Sequence, residues 1–138
     1  MFVSCKHAYR DPVKEGKRFE KSIRKIFRWF LPFRRHSITS NVIVELKNGD
    51  TSETDHIYIC RKGIFFVECK YHMHGFTYGE LYGQWVLVSG TSKYPVINPI
   101  TQNAGHIRKF QRYLSENGMK LMDMDSVFNV YITNSDNI

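Results

Sequence analysis

Asp55, Glu68 and Lys70 are the residues of this 138-residue chain best suited to chemistry. They lie in the stretch TDHIYICRKGIFFVECKY, residues 54–71. Two β-rich runs, 56–60 and 64–69, flank a Lys62–Gly63 turn signal, which predicts a hairpin. One run begins beside an acid and the other ends in Glu-Cys-Lys. Charged groups closing an apolar strand are costly to bury unpaired, so they make sense beside a metal, a phosphate or a cleft. A two-residue turn places Arg61 opposite Ile64 and Asp55 opposite Lys70. Strict alternation then sets Asp55, Glu68 and Lys70 on one face with Ile57, Ile59 and Phe66, and Cys69 on the other. A one-residue slip would reverse Asp55. Spacing alone fits equally well a strand-end salt bridge between Lys70 and either acid, which need contribute little.

The elements around the hairpin must position these groups. Residues 13–31 read as a helix ended by Pro32, with Phe19, Ile23, Ile26, Phe27 and Phe30 as an apolar stripe. Lys14, Lys17, Lys21, Arg24, Lys25 and Arg28 cover its other side. Glu20 falls about 60° from the stripe's centre, near Gly16 and Phe27. It is either an i,i+4 partner of Arg24 or a stripe-edge acid, or an inward carboxylate. Residues 42–47 alternate, with Val42, Val44 and Leu46 on one side, before an Asn48–Gly49 turn. Gly75–Tyr78 and Gln84–Val88 read as short strands, with Trp85 as an anchor. Asn98–Pro99 is a helix start, and that helix runs to about Asn117 and stops at Gly118. Its core stripe is Ile100, Ala104, Ile107, Phe110 and Leu114. Gln102, His106, Lys109 and Tyr113 form a second line, and the last three read first as a solvated polar face. Val127–Thr133 is a last strand. Helix, three strands, helix, strand suits an α/β fold with a mixed central sheet flanked by helices.

An aspartate, a hairpin and Glu-x-Lys together resemble the core of the PD-(D/E)XK nuclease superfamily. More specifically, the chain resembles the nuclease-related domain (NERD) family. The matching pieces are Gly16–Glu20, TDHIYI, KGIFFVECK, the Gly75–Gln84–Trp85 region and NPITQN at 98–103. They fall in the family's order and span roughly Val13 to Thr133. The proline that precedes the superfamily's aspartate is absent, with Thr54 in its place. The resemblance implies a restriction-endonuclease-like core. It also implies that Glu20 is a site carboxylate and that Gln102 points at the site to help place water or phosphate.

On this reading residues 1–12 are an irregular arm and 13–138 the nuclease-like domain. Asp55 and Glu68 would hold Mg²⁺ or Mn²⁺, which hard oxygen ligands select, with the Cys69 backbone carbonyl and Glu20 as further ligands. Lys70 would orient the attacking water or stabilise developing charge. Lys17, Lys21, Arg28, His72, His74, His106 and Lys109 are the candidate nucleic-acid contacts. His72-x-His74 lacks a third ligand at zinc-like spacing. No phosphate-cradling Gly-rich loop or serine elbow occurs.

Composition agrees. The length suits one domain with a single core, and 42% hydrophobic content is ordinary for a globular chain. The net charge of +7 favours an anionic partner. Cys5, Cys60 and Cys69 are an odd number without CxxC spacing, so packed thiols are expected, not a disulfide framework. The N-terminus lacks an apolar secretory core, and no apolar run is long enough for a membrane span. A cytoplasmic setting is the default, and a homodimer is compatible with the sequence. The leading expectation is a metal-dependent deoxyribonuclease. Its competitors are a catalytically weak nucleic-acid-binding or interaction module on the same scaffold, and a basic peripheral membrane protein resting on KIFRWFLPFRR. Metal-dependent cleavage, salt-sensitive binding without cleavage, and lipid binding separate the three.

Overall fold

The apolar stripe of residues 19, 23 and 27 does form one side of a helix. A computed structural model describes residues 11–30, 36–72 and 75–134 of the chain. Helix α1 spans Pro12–Phe30. Asp11 starts it, its Oδ1 accepting from the Val13 N–H at 3.0 Å, a standard way to satisfy an orphan helical donor. Strands β1 (His36–Glu45), β2 (Thr51–Cys60) and β3 (Gly63–Lys70) follow, then β4 (Phe76–Gly79), β5 (Trp85–Ser89) and β6 (Ser92–Val96). Helix α2 (Pro99–Glu116) and strand β7 (Val127–Thr133) complete the order.

The main sheet has the order β1-β2-β3-β7, antiparallel except that β3 and β7 run parallel. A helix packs on each face. Against α1, Ile23, Val67 and Cys69 are buried with Phe19, Phe27, Phe65, Val130 and Ile132 around them. Against α2, Ile57, Phe66 and Ile107 are buried with Val42, Ile64 and Phe110. Phe66 and Val67 are both 0% exposed, one to each face, as alternation demands. This is the mixed, helix-flanked, restriction-endonuclease-like architecture expected from the sequence. Ile26 departs from the expected stripe and is exposed. No helix among the described residues is long and apolar enough to cross a membrane. Cys5, Pro32, His74 and nearly all of the expected N-terminal arm lie outside the described residues.

Three details differ from the sequence expectation. Strand β1 begins at His36, well before position 42. Its first half alternates intermediate and exposed residues, so no apolar face announces it. The hairpin turns at Arg61–Lys62, so Cys60 opposes Gly63 and Ile57 opposes Phe66. This is a two-residue shift, which by itself moves no side chain to the opposite face. Gly63 has φ +143, and a Cβ there would collide with the Ser126 carbonyl oxygen and the Phe128 ring. The glycine is therefore needed for β7 to close on the hairpin, not as the turn's second residue. Lastly, β4, β5 and β6 form a separate antiparallel sheet, and β6 was not expected at all. Pro95 masks it, and proline is confined to edge strands such as this one.

Asn98 joins the small sheet to α2. Its Oδ1 accepts from the N–H groups of Ile100 (2.9 Å) and Thr101 (3.2 Å), capping the helix. Its Nδ2 donates to the carbonyls of Leu81 and Gly83, both at 3.0 Å. One side chain thus starts a helix and clasps the β4–β5 loop. Trp85 adds an Nε1–H bond to the Glu80 carbonyl at 2.8 Å and an edge contact on Tyr131.

Candidate active site

The β2–β3 ladder runs from Cys60 and Gly63 to His56 and Val67 and stops there. Beyond it β2 pairs only with β1, and β3 only with β7. The two strands therefore fork at Asp55 and Glu68. Cys69, deprived of a β2 partner, donates its N–H to Asp55 Oδ2 at 2.7 Å. A carboxylate has taken the place of a ladder carbonyl. The β1 side is interrupted at the same level, since Asn41 and Asp55 do not pair although Ser40–His56 and Val42–Thr54 do. Asn41 has φ +52, a left-handed conformation that asparagine tolerates better than most residues.

Alternation breaks at this point. Ser52 reaches α2, its Oγ 2.7 Å from His106 Nδ1. His56 would share that face on a regular strand. Instead its Nδ1 bonds Ser40 Oγ at 2.8 Å and its ring lines a cleft against α1. Asp55 also lines that cleft. It does not stack with Ile57 and Phe66 as strict alternation predicts; it turns into the fork between the strands.

The cleft, about 640 Å³, brings Glu20, Glu53 and Asp55 together, with Lys17, Lys21 and Arg24 among its lining residues. Glu20 forms no ion pair with Arg24; partly buried, it lines the cleft. Burial, and then the charges of Asp55 and Glu53, hold its carboxyl above the usual glutamate range. Glu68, on the other side of the fork, is 3% exposed. Its carboxyl is also pushed up, first by burial, with the Asp55 charge adding and the Lys70 hydrogen bond opposing. Lys70 Nζ lies 2.5 Å from Glu68 Oε1, and His106 Nε2 lies 3.9 Å from Oε2. Cys69 packs towards α1 with Ile23. Burial, reinforced by Asp55, Glu20 and Glu68, pushes its thiol up to about 12, so it is no nucleophile. Its backbone carbonyl lies between Glu68 and Lys70 along β3.

These groups fit a hard divalent cation by donor type, since the acids are oxygen donors. Glu20 and Glu68 each feel the Asp55 charge, and a dication relieves that repulsion. Among the described residues no three acidic, histidine or cysteine side chains form a ready-made coordination cluster. Lys70 holds one oxygen of Glu68 and the Cys69 N–H one of Asp55, so the acids that surround the fork are only partly neutralised.

The remaining sequence candidates fall into three groups. Gln102 and His72 join Lys70 in a second recess on the α2 side. Burial and then the Lys70 charge hold the His72 imidazole below its ordinary pKa. Lys17 and Lys21 line the α1-side cleft, whereas Arg28 is exposed farther along the helix and does not line it. Lys109 is drawn away to the start of β2, its Nζ 3.2 Å from the Thr51 carbonyl oxygen. His106 corrects the solvated-face expectation: its side chain is 19% exposed and lies between Ser52 and Glu68. The spacing from Gln102 to His106 is one helical turn, which put both on one line. Nothing local indicated that Glu68 would meet that line.

Three further residues of this region, Glu53, His56 and Asn103, are not among the sequence candidates. His56 is 2% exposed. Burial lowers its pKa, against the Asp55 charge. Asn103 is 0% exposed. Its Nδ2 donates to the Phe66 carbonyl and to Asn129 Oδ1, both at 2.8 Å, while Asn129 Nδ2 donates to the Ile100 carbonyl. This network ties α2 to β3 and β7 directly behind the fork. Its position four residues before Ile107 was the available signal.

The family model of the nuclease-related domain matches residues 6–133. An uncharacterized protein of Bacillus anthracis is 33% identical over 101 residues, covering 72% of this chain and 47% of that protein. The chain spans about half the length of this curated relative. No solved structure matches it.

Proposed function

The chain belongs to the nuclease-related domain family, within the PD-(D/E)XK superfamily, and from that premise we propose that it is a metal-dependent nuclease hydrolysing phosphodiester bonds in DNA. The observation that carries the reading is the fork. Asp55 sits there with its charge raising the pKa of both Glu20 and Glu68, and Lys70 rests on Glu68.

Asp55 and Glu68, with Glu20 and the Cys69 carbonyl, would hold Mg²⁺ or Mn²⁺. When bound, the ion polarises the phosphate and acidifies a coordinated water. The protein's own groups do the rest. Glu68, buried and fixed by Lys70, is the rigid member of the set. Lys70 carries a positive charge from the carboxylates to the adjoining recess, where it can orient the attacking water or meet charge developing on a phosphate oxygen. Gln102 can donate to water or phosphate from the far wall. His106, through Ser52 and Glu68, would position the glutamate rather than touch substrate. Lys17 and Lys21 would hold backbone phosphates without reading sequence.

The test is a cleavage assay on linear, circular and single-stranded DNA with Mg²⁺ or Mn²⁺, comparing wild type with Glu68→Ala. Cleavage that needs metal and vanishes in the variant supports the reading. The second reading is a catalytically weak nucleic-acid-binding module, and the closed Lys70–Glu68 pair favours it. Salt-sensitive DNA binding with no cleavage under any metal would replace the first reading with the second.

A further inference from the structure

The recess on the far side of Lys70 has a construction unlike the carboxylate cleft. It is about 440 Å³, large enough for one nucleotide-sized group, and lies between the small sheet, β7 and the start of α2. Pro95, Val96, Ile97 and Pro99 give it apolar walls, and Lys70, His72, Thr77, Gln102 and Tyr131 supply its polar atoms. Mostly apolar walls with a few placed polar groups are the usual makeup of a small-ligand site. The recess is held open by specific bonds. Thr77 Oγ1 meets Tyr131 OH at 3.1 Å, Trp85 stands edge-on to Tyr131, and Asn98 clasps the β4–β5 loop to α2. His72 contributes to the lining, while its Nε2 is buried away from solvent and unpartnered among the described residues.

Pairing in the small sheet puts Thr77, Leu87 and Tyr94 on one face, and two-residue alternation adds Trp85 and Val96 to that face. Tyr94, 53% exposed, therefore stands on the recess side of the sheet. Tyr82, 87% exposed, projects from the clasped loop. In single-strand binding surfaces, exposed aromatic rings are where bases stack.

We propose, resting on the nuclease reading, that this recess takes one unpaired nucleobase next to the phosphodiester held at the carboxylates, with Tyr94 stacking on its neighbour. Lys70 is the link, because it borders both the carboxylates and the recess. A base paired within a duplex is stacked on both faces and cannot enter a walled slot without being unstacked. The substrate class is then a single strand, a frayed end or a flap, not the interior of a duplex. Pro95 and Pro99, which close the wall, present no N–H, so the base edge is met by Gln102 and Thr77.

The experiment is fluorescence anisotropy with the full 138-residue chain in EDTA, so that binding is read without metal or turnover. Three probes are compared at one salt concentration: a labelled single strand, the same strand as a blunt duplex, and the strand with consecutive abasic positions. Wild type should prefer the intact single strand to both others by ~10-fold, the scale of losing one or two stacked bases. Val96→Trp, which fills the slot, should abolish that preference while duplex binding stays unchanged. Tyr94→Ala, an exposed position that does not threaten folding, should reduce it part of the way. Equal affinity of wild type for intact and abasic strands overturns the proposal. So does a preference that survives in a folded Val96→Trp protein. Metal-dependent cleavage that persists alongside either result leaves the nuclease reading standing and removes only the base slot. Failure to bind any of the three probes overturns the base slot, and the nuclease reading falls with it only where metal-dependent cleavage is absent as well.

Discussion

The β2–β3 hairpin has two ends built on opposite terms. At the closed end, Cys60 to His56 and Gly63 to Val67 pair in an unbroken ladder. Ile57 and Phe66 meet Ile107 beneath it, and the neighbouring Val67 is sealed against α1. At the open end the ladder fails, and the groups put there are acids. Glu68 is almost as buried as Phe66 two residues earlier, but its charge is opposed by Asp55 and only partly met by Lys70. One half of the strand is thus packed and paired, and the other carries closely spaced charge. The fork at Asp55 separates them. The closed end fixes the register, and the register decides which carboxylates meet.

Breaking the closed end should have the largest effect. Phe66→Ala removes a fully buried ring and should cost ~3–5 kcal/mol of stability. Chemical denaturation would show this, and site function would fall only as folded protein is lost. At the open end the reverse is expected. Lys70→Met keeps the stem and removes the ammonium. It should remain folded and bind DNA, with cleavage slowed by ~10² or more. A folded Lys70→Met protein cleaving at the wild-type rate would make Lys70 a strand-end ion-pair partner and nothing more.

A smaller effect sharpens the comparison. The folded-state pKa of Glu68 is raised above its unfolded value, chiefly by burial. Such a group contributes stability that is full below the unfolded pKa and lost as pH rises through the folded one. Without metal, wild type should therefore lose stability relative to Glu68→Gln as pH rises past the ordinary glutamate value of 4.5. At neutral pH the variant should melt a few degrees higher. Taking the difference between the two melting curves removes the opposite trend from His56 and His72, whose depressed pKa values weaken the fold as pH falls. A variant that melts lower at neutral pH would mean that the Lys70 pair outweighs burial.

The smallest effect concerns binding. Reversing Lys17 and Lys21, which line the carboxylate cleft, should flatten the log–log salt dependence of DNA affinity. The slope should fall by about 0.9 for each phosphate that is no longer neutralised. Reversing Arg28, which does not line the cleft, should change it less. Equal slopes for all three would mean that α1 acts through net charge alone.

Much of this was legible in the sequence because local chemistry carried it. Asn98–Pro99 announces a capped helix, and Gly118, with φ +64, lies just past its end. The alternation of Val42, Val44 and Leu46 and the run Ile64–Cys69 name strands. The Glu-x-Lys pair could be placed on a face because a two-residue error in register does not change faces. Other features depend on distant partners. Gly63 reads as a turn residue until β7 is known to press on it. Asp55 leaves its expected face where Asn41, on the neighbouring strand, takes a left-handed conformation and interrupts the pairing. His106 looks like part of a polar helical face until Glu68 and Ser52 are brought to it. Strand β6 was hidden by Pro95 and by its exposure, which leave no hydrophobic period to read.

The proposed nuclease function requires the open end of the hairpin to hold a divalent cation. A calorimetric titration of Mn²⁺ into metal-free protein tests it most directly, with wild type, Asp55→Asn, Glu68→Gln and Lys70→Met run side by side. Saturable binding is expected for wild type and for Lys70→Met, with its loss in both carboxylate variants. Binding that is the same in all four proteins, or absent from wild type, would contradict it.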